Sequence, residues 1–156
     1  MPDTTHWQHL VGALRELHRA LTERARRDYE RERNVTLSPI EQLQLLTTDA
    51  YFGWLRELSE LMVDIDLVRE TEPLAVAEIS PAVRAAVEHL TAAPTSSEAG
   101  GAFARRYWPY LWDDPHVAMA HAGVKRALEP WPRRQKTDAA GLLHERHRLA
   151  EKARRR

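Results

Sequence analysis

Apolar residues recur at spacings of three and four along most of the chain, and the strict alternation of a half-buried strand is nearly absent. This pattern predicts an all-α fold. From about Thr5 to Arg31, Trp7, Leu10, Val11, Leu14, Leu17, His18, Leu21 and Ala25 make one stripe of a long helix, and the run RARRDYERER supplies its opposite, charged face. Glu23 and Arg27 stand four apart in the better order, but such a pair stabilises a helix by only a few tenths of a kcal/mol. The charged run therefore reads as a solvated face.

Local signals divide the rest. Ser38-Pro39-Ile40-Glu41 is a capping serine, a proline at the first helical position and a glutamate three residues after the serine, which together mark a helix start. That helix should end near Thr47 or Thr48, where Asp49 can cap the next, running to about Glu70. The second of these holds YFGWLRELSELMVDID, residues 51–66, the densest apolar run and the predicted central element. Pro73 closes it, a minor turn covers Leu74 to Glu78, and Ser80-Pro81 starts a helix to about Leu90. After the loop TAAPTSSEAGG, the segment GAFARRYWPYLW is helical by pattern, with a kink or restart expected at Pro109. Asp114-Pro115 begins a helix with Val117, His121, Val124 and Leu128 on one stripe, ended by Pro130 and Pro132. A last helix is expected from about Asp138 to Arg155, with Leu142, Leu143 and Leu149 as sparse apolar content. The expectation is a single-domain bundle of about five to seven helices over residues 1–132, followed by a C-terminal helix or tail over 133–156.

A chain of 156 residues suits one core. Its zero net charge conceals a division, because the segment from Arg133 to Arg156 carries nine Lys/Arg and three acids, leaving the tail at +6 and the body at −6. Such a tail is suited to an acidic surface, but the acidic body argues against nucleic acid as partner. There is no cysteine, which removes disulfides, thiolate chemistry and thiol-bound metals. No apolar run approaches the ~18 residues of a spanning helix, and MPDTTHWQHL lacks the blocks of a signal peptide, so the expectation is a cytoplasmic protein without a membrane partner.

Two constellations could carry metal chemistry. At about 100° per residue, Asp64 falls about 20° and Glu60 about 60° to one side of Glu57, while the apolar stripe centres roughly 95° to the other. The acids then flank the core, with Glu57 and Asp64 at its border and Glu60 wetter. His18 and His121 each replace an aliphatic residue in an apolar stripe. Together His18, Glu57, Glu60, Asp64 and His121 are the ligand set of an alternative reading, a bundle holding a divalent metal (iron or zinc) or a haem, with iron supporting oxidative chemistry. The counter-signal is that neither Glu-x-x-His nor His-Glu-x-x-His occurs. A core histidine bonded inside the protein, and a hydrated acidic ridge, explain the same residues. His144, His147 and Glu151 share a helix face too, but Arg146 and Arg148 beside them oppose a cation. Nucleophilic catalysis has no motif: neither a Gly-x-Ser-x-Gly elbow nor a phosphate loop is present.

The aromatic mass is concentrated elsewhere. Tyr107, Trp108, Tyr110, Trp112 and Trp131, beside Arg105 and Arg106, have the composition of an interface hot spot, or of a second small core around the proline. This favours a non-enzymatic module, without cofactor, that binds a protein partner or its own copy through an aromatic and arginine surface. WLRELSELMVDID (54–66), FARRYWPYL (103–111) and DPHVAMAHAGVKRAL (114–128), behind an ER-rich first helix, together resemble an uncharacterised family of small bacterial all-helical proteins. The resemblance implies a bacterial cytosolic source and a single domain, and it carries no catalytic residue.

Overall fold

The computed structural model describes residues 2–70, 73–94, 101–133 and 151, and among them there are six α-helices and no strand. Helix α1 (Thr4–Arg33) opens on a capping box in which the Asp3 carboxylate accepts from the His6 N–H at 2.9 Å and His6 Nδ1 accepts from the Asp3 N–H at 3.1 Å. It stops at Asn34, whose φ of 51° is the left-handed conformation that asparagine tolerates at a helix end. Helix α2 (Pro39–Thr48) starts on the expected box, with Ser38 Oγ accepting from Glu41 N–H and Glu41 Oε2 accepting from Ser38 N–H. Asp49 then caps not a long α-helix but a 3-10 helix, Ala50–Leu55, through the Tyr51 N–H at 2.8 Å. Three residues per turn set Phe52 and Leu55 on one side, and both are buried along with Trp54. Helix α3 (Arg56–Arg69) continues from there, so the segment expected as one helix is two pieces.

Helix α4 (Pro73–Thr91) corrects a second expectation, because it runs through Pro81 without the turn predicted before it. A proline removes one backbone hydrogen bond from a helix. Here Ile79, Ala82, Val83, Ala86 and Val87 on both sides of it are buried, and that burial outweighs the loss. Helix α5 (Ala102–Asp113) likewise continues through Pro109, held by Phe103 and Tyr107 before it and Tyr110 after it. Helix α6 (Pro115–Leu128) begins at the expected Asp114-Pro115. The expected helix 138–155 lies outside the described residues, apart from Glu151, which is helical. No helix among the described residues is long and apolar enough to cross a membrane.

Helix α1 packs against the 3-10 helix, α3, α5 and, most extensively, α6, while α4 lies on α3 and α5. Its buried residues Trp7, Leu10, Leu14, Leu17, Leu21 and Ala25 form the spine of one continuous core. Helices α1 and α6 are antiparallel: Trp131 stands edge-on to Trp7 at 4.7 Å, whereas Arg27 Nη2 reaches Asp114 Oδ2 at 2.9 Å near the other end.

A buried arginine closes the free end of α6. The guanidinium of Arg84, on α4, donates to the Leu128 carbonyl at 2.7 Å and to the Trp131 carbonyl, and its Nε donates to Glu88 at 2.8 Å. Carbonyls at a helix C-terminus lack intrahelical donors and carry partial negative charge, so a cation there satisfies both needs. Arg84→Ala should leave these buried acceptors bare and cost about 2–4 kcal/mol. Urea denaturation measures this, and an unchanged midpoint would show that the contact contributes nothing to the fold.

Candidate functional site

The aromatic region separates by helical spacing into two sets. Phe103, Tyr107 and Tyr110, at i, i+4 and i+7, turn inward: Phe103 stacks on Tyr107 at 5.0 Å, and Trp54 packs against Phe103 and Tyr110, each at 5.8 Å. Burial, followed by a hydrogen bond to Asp28, raises the Tyr110 phenol above its ordinary range, and Arg24 lies over its ring at 4.7 Å. Tyr107, Tyr110 and Trp131 are all buried, so these three offer no surface to a partner in this fold. The reason is the position of the rings in the bundle, which composition does not reveal.

Arg105, Trp108 and Trp112, at i, i+3 and i+7, share the outward face of α5. Trp108 is half-buried, its indole N–H donating to the Ala92 carbonyl at 2.8 Å and its ring edge-on to His121. Trp112 is 81 % exposed. Arg106 points another way, its guanidinium 5.3 Å above the Tyr51 ring. Helix α2 also leaves apolar side chains in solvent: no residue in it is buried, and Ile40 and Leu43 are exposed. A signal was present: the apolar positions 40, 43, 45 and 46 are spread around the helix and cannot all face one core.

The acids and histidines are dispersed. Asp64 is buried between α3 and α4 beside Leu61, Ile65, Ile79 and Val83, while Glu57 and Glu60 are both exposed. The expected border position of Glu57 and Asp64 is thus corrected: α4 covers the face of α3 that includes Asp64, a choice the helical wheel cannot make. Glu57 instead stands at the start of α5, its carboxylate oxygen 3.5 Å from where a Cβ on Gly101 would lie, a place where the helix dipole favours an anion. His18 Nε2 and Ser59 Oγ share a hydrogen bond of 3.1 Å, and His121 Nδ1 bonds the Tyr107 hydroxyl. Among the described residues no three His, Asp or Glu side chains form a group that could hold a metal, so His18, Glu57, Glu60, Asp64 and His121 are not brought together.

The His18 and Ser59 pair is the closest approach to a base beside a nucleophile. It lacks the rest of that machinery: Ser59 Oγ donates to the Leu55 carbonyl at 3.3 Å, and among the described residues nothing bonds His18 Nδ1 to orient the ring. Each imidazole has a hydrogen-bond partner inside the protein, Ser59 for His18 and Tyr107 for His121. No family model, no curated protein and no solved structure significantly matches this chain, so the geometry alone carries the functional argument.

Burial lowers the pKa of His18, and burial followed by the nearby Lys125 charge lowers that of His121. A lowered folded-state pKa means that the unfolded chain takes up protons first. Stability should therefore be full above the ordinary imidazole value of about 6.5 and decline as pH falls from there toward the lowered folded values. Melting temperature followed from pH 8 to pH 5 should show this fall, and His18→Gln/His121→Gln together should flatten it. His121→Leu at neutral pH should cost about 1–3 kcal/mol because it strands the buried Tyr107 hydroxyl, and Tyr107→Phe in that background should recover part of the loss.

Proposed function

We propose that this chain is a small helical interaction module that binds a protein partner, with Trp112 as the anchor and Arg105 and Trp108 completing its face. The observation that carries the reading is the exposure of Trp112: Trp7, Trp54 and Trp131 are buried, Trp108 is half-buried, and Trp112 alone of the five stands in solvent. An indole is large, stiff and costly to leave wet, and tryptophan beside arginine is enriched where binding energy concentrates. Arg106 joins the surface from the adjoining side of α5, by way of Tyr51. The reading takes the module as cytoplasmic and non-enzymatic, and assigns the basic tail the role of steering an acidic partner toward this face.

Because the side chain packs on so little, Trp112→Ala should leave the melting temperature and helical content nearly unchanged. Capture of partners should weaken by ~2 kcal/mol or more. Pull-down with quantitative mass spectrometry, wild type against Trp112→Ala, checks this. A variant that loses its fold, or that captures the same proteins equally well, would remove Trp112 from any recognition role. Deleting residues 133–156 should slow association and flatten its salt dependence, because screening acts on steering by exposed charge.

A further inference from the structure

A different face carries its own information. Helices α1 and α6 leave an open groove of about 730 Å³ whose floor is made of small residues, Ala13, Ala20, Ala120 and Gly123. A Cβ placed on Gly123 would meet nothing within 4 Å, so the space above it is open. Along the α1 wall stand Glu16, Arg19, Glu23 and Arg27, with their side chains about half exposed or more. Their signs alternate along one helix edge.

We infer that this groove is where a second copy of the chain docks, about a two-fold axis that lays its α1 antiparallel on this one. Charge complementarity selects the arrangement. With the axis crossing α1 near Leu21, Arg19 faces Glu23 of the second copy and Glu16 faces its Arg27, and the symmetry makes each pairing twice. A parallel copy in the same register would set like charge against like. The present partners leave room for the exchange. Arg19 with Glu16 is an exposed same-helix pair at 2.6 Å, of a kind that adds little, whereas Glu23 holds Arg26 through both carboxylate oxygens, at 3.1 and 2.5 Å, and would share its carboxylate between Arg26 and the Arg19 of the second copy. Arg27 bonds Asp114 through one nitrogen, Nη2, and a guanidinium has further donors.

The apolar content falls in the same place. The contact of Arg27 with Asp114, the cap of α6, fixes the antiparallel register, and counting equal rise along both helices from it sets Leu21 level with about residue 120 of α6, next to Met119. Met119, 70 % exposed and lining the groove, therefore stands beside the axis that the charges choose. Its flexible thioether can fill the small-residue floor of the other copy while receiving that copy's Met119 in return. A large residue in solvent, a small-residue floor and alternating charge all converge on one operation.

Sedimentation equilibrium of the full chain from roughly 1 to 300 µM, at low and high salt, tests the assignment. Expected is a dimer that weakens as salt rises. Arg19→Glu and Glu23→Arg should each raise the dissociation constant ~10-fold or more, and the double variant should return to within ~3-fold of wild type, because it restores opposite charges across the axis. Circular dichroism of each variant confirms that helix content is kept. Trp112→Ala should leave the dimer intact, which separates this inference from the partner-binding face on α5. A monomer at every concentration would overturn the proposal. So would a double variant no better than the singles, because self-association would then use another face, or the groove would receive a different protein's helix.

Discussion

Asp114 is the residue on which the closure of this fold turns. A carboxylate taken out of water must be given charge or hydrogen bonds to replace its hydration. Asp114 receives both, and its two oxygens divide the work. Oδ1 accepts from the amides of His116 and Val117 and so starts α6, while Oδ2 takes Arg27 at 2.9 Å and lies 3.7 Å from Arg24. The start of α6 is thereby pinned at one level of α1. From that point the antiparallel course of α6 brings Trp131 onto Trp7, and Arg84 then secures the far end. Arg24 extends the constraint, because it also bonds Asp28 and lies over the Tyr110 ring, so the last turn of α5 is held in the same network.

That network explains why most of the aromatic region is core. The chain reverses between α5 and α6 at Asp114, and a reversal pinned to α1 forces the inner face of α5 against α1 and the 3-10 helix. Phe103, Tyr107 and Tyr110 fill the space that results. The other face of α5 is released from packing, most completely at its final turn, where Trp112 lies just before the buried carboxylate. One short helix thus supplies both a core wedge and an exposed anchor, and spacing along the helix decides which ring does which.

Legibility in the sequence followed the range of the interaction. The boxes at Ser38 and Glu41, the Asp49 cap and the Asp114-Pro115 start are physical pairings between residues two or three apart, so the sequence displays them directly. Pro81 reads locally as a helix start, and its place inside α4 depends on what covers Ile79, Val83 and Val87. Arg84 shows the same limit more sharply: its acceptors lie 44 and 47 residues away, and nothing near it in the chain indicates a buried cation. The wheel set Glu57 and Asp64 only about 20° apart, yet Asp64 is buried and Glu57 exposed, because which side α4 would cover was not in the wheel. Trp112 could have been separated from Tyr107 and Tyr110 by spacing alone. Grouping the aromatics by composition obscured a distinction that the helical period already contained.

The charged run of α1 makes the same point about function. Read as composition, RARRDYERER is one solvated face; read residue by residue, it is divided. Arg24 and Asp28 turn into the network around Tyr110 and Asp114, Arg26 and Glu30 form a part-buried pair at 2.7 Å while Glu30 also accepts from the Leu37 amide, and Arg27 lines the groove beside α6 with Glu23, the residue just before the run. Arg27 belongs to two of these sets, because it holds Asp114 while forming part of the groove wall. Changing it would disturb both the fold and the face. Arg19 lies outside all of these sets, and Glu23 lies outside the Asp28 and Asp114 network although it shares Arg26 with Glu30, so these are the charges through which the groove can be altered with least disturbance to the bundle that builds it.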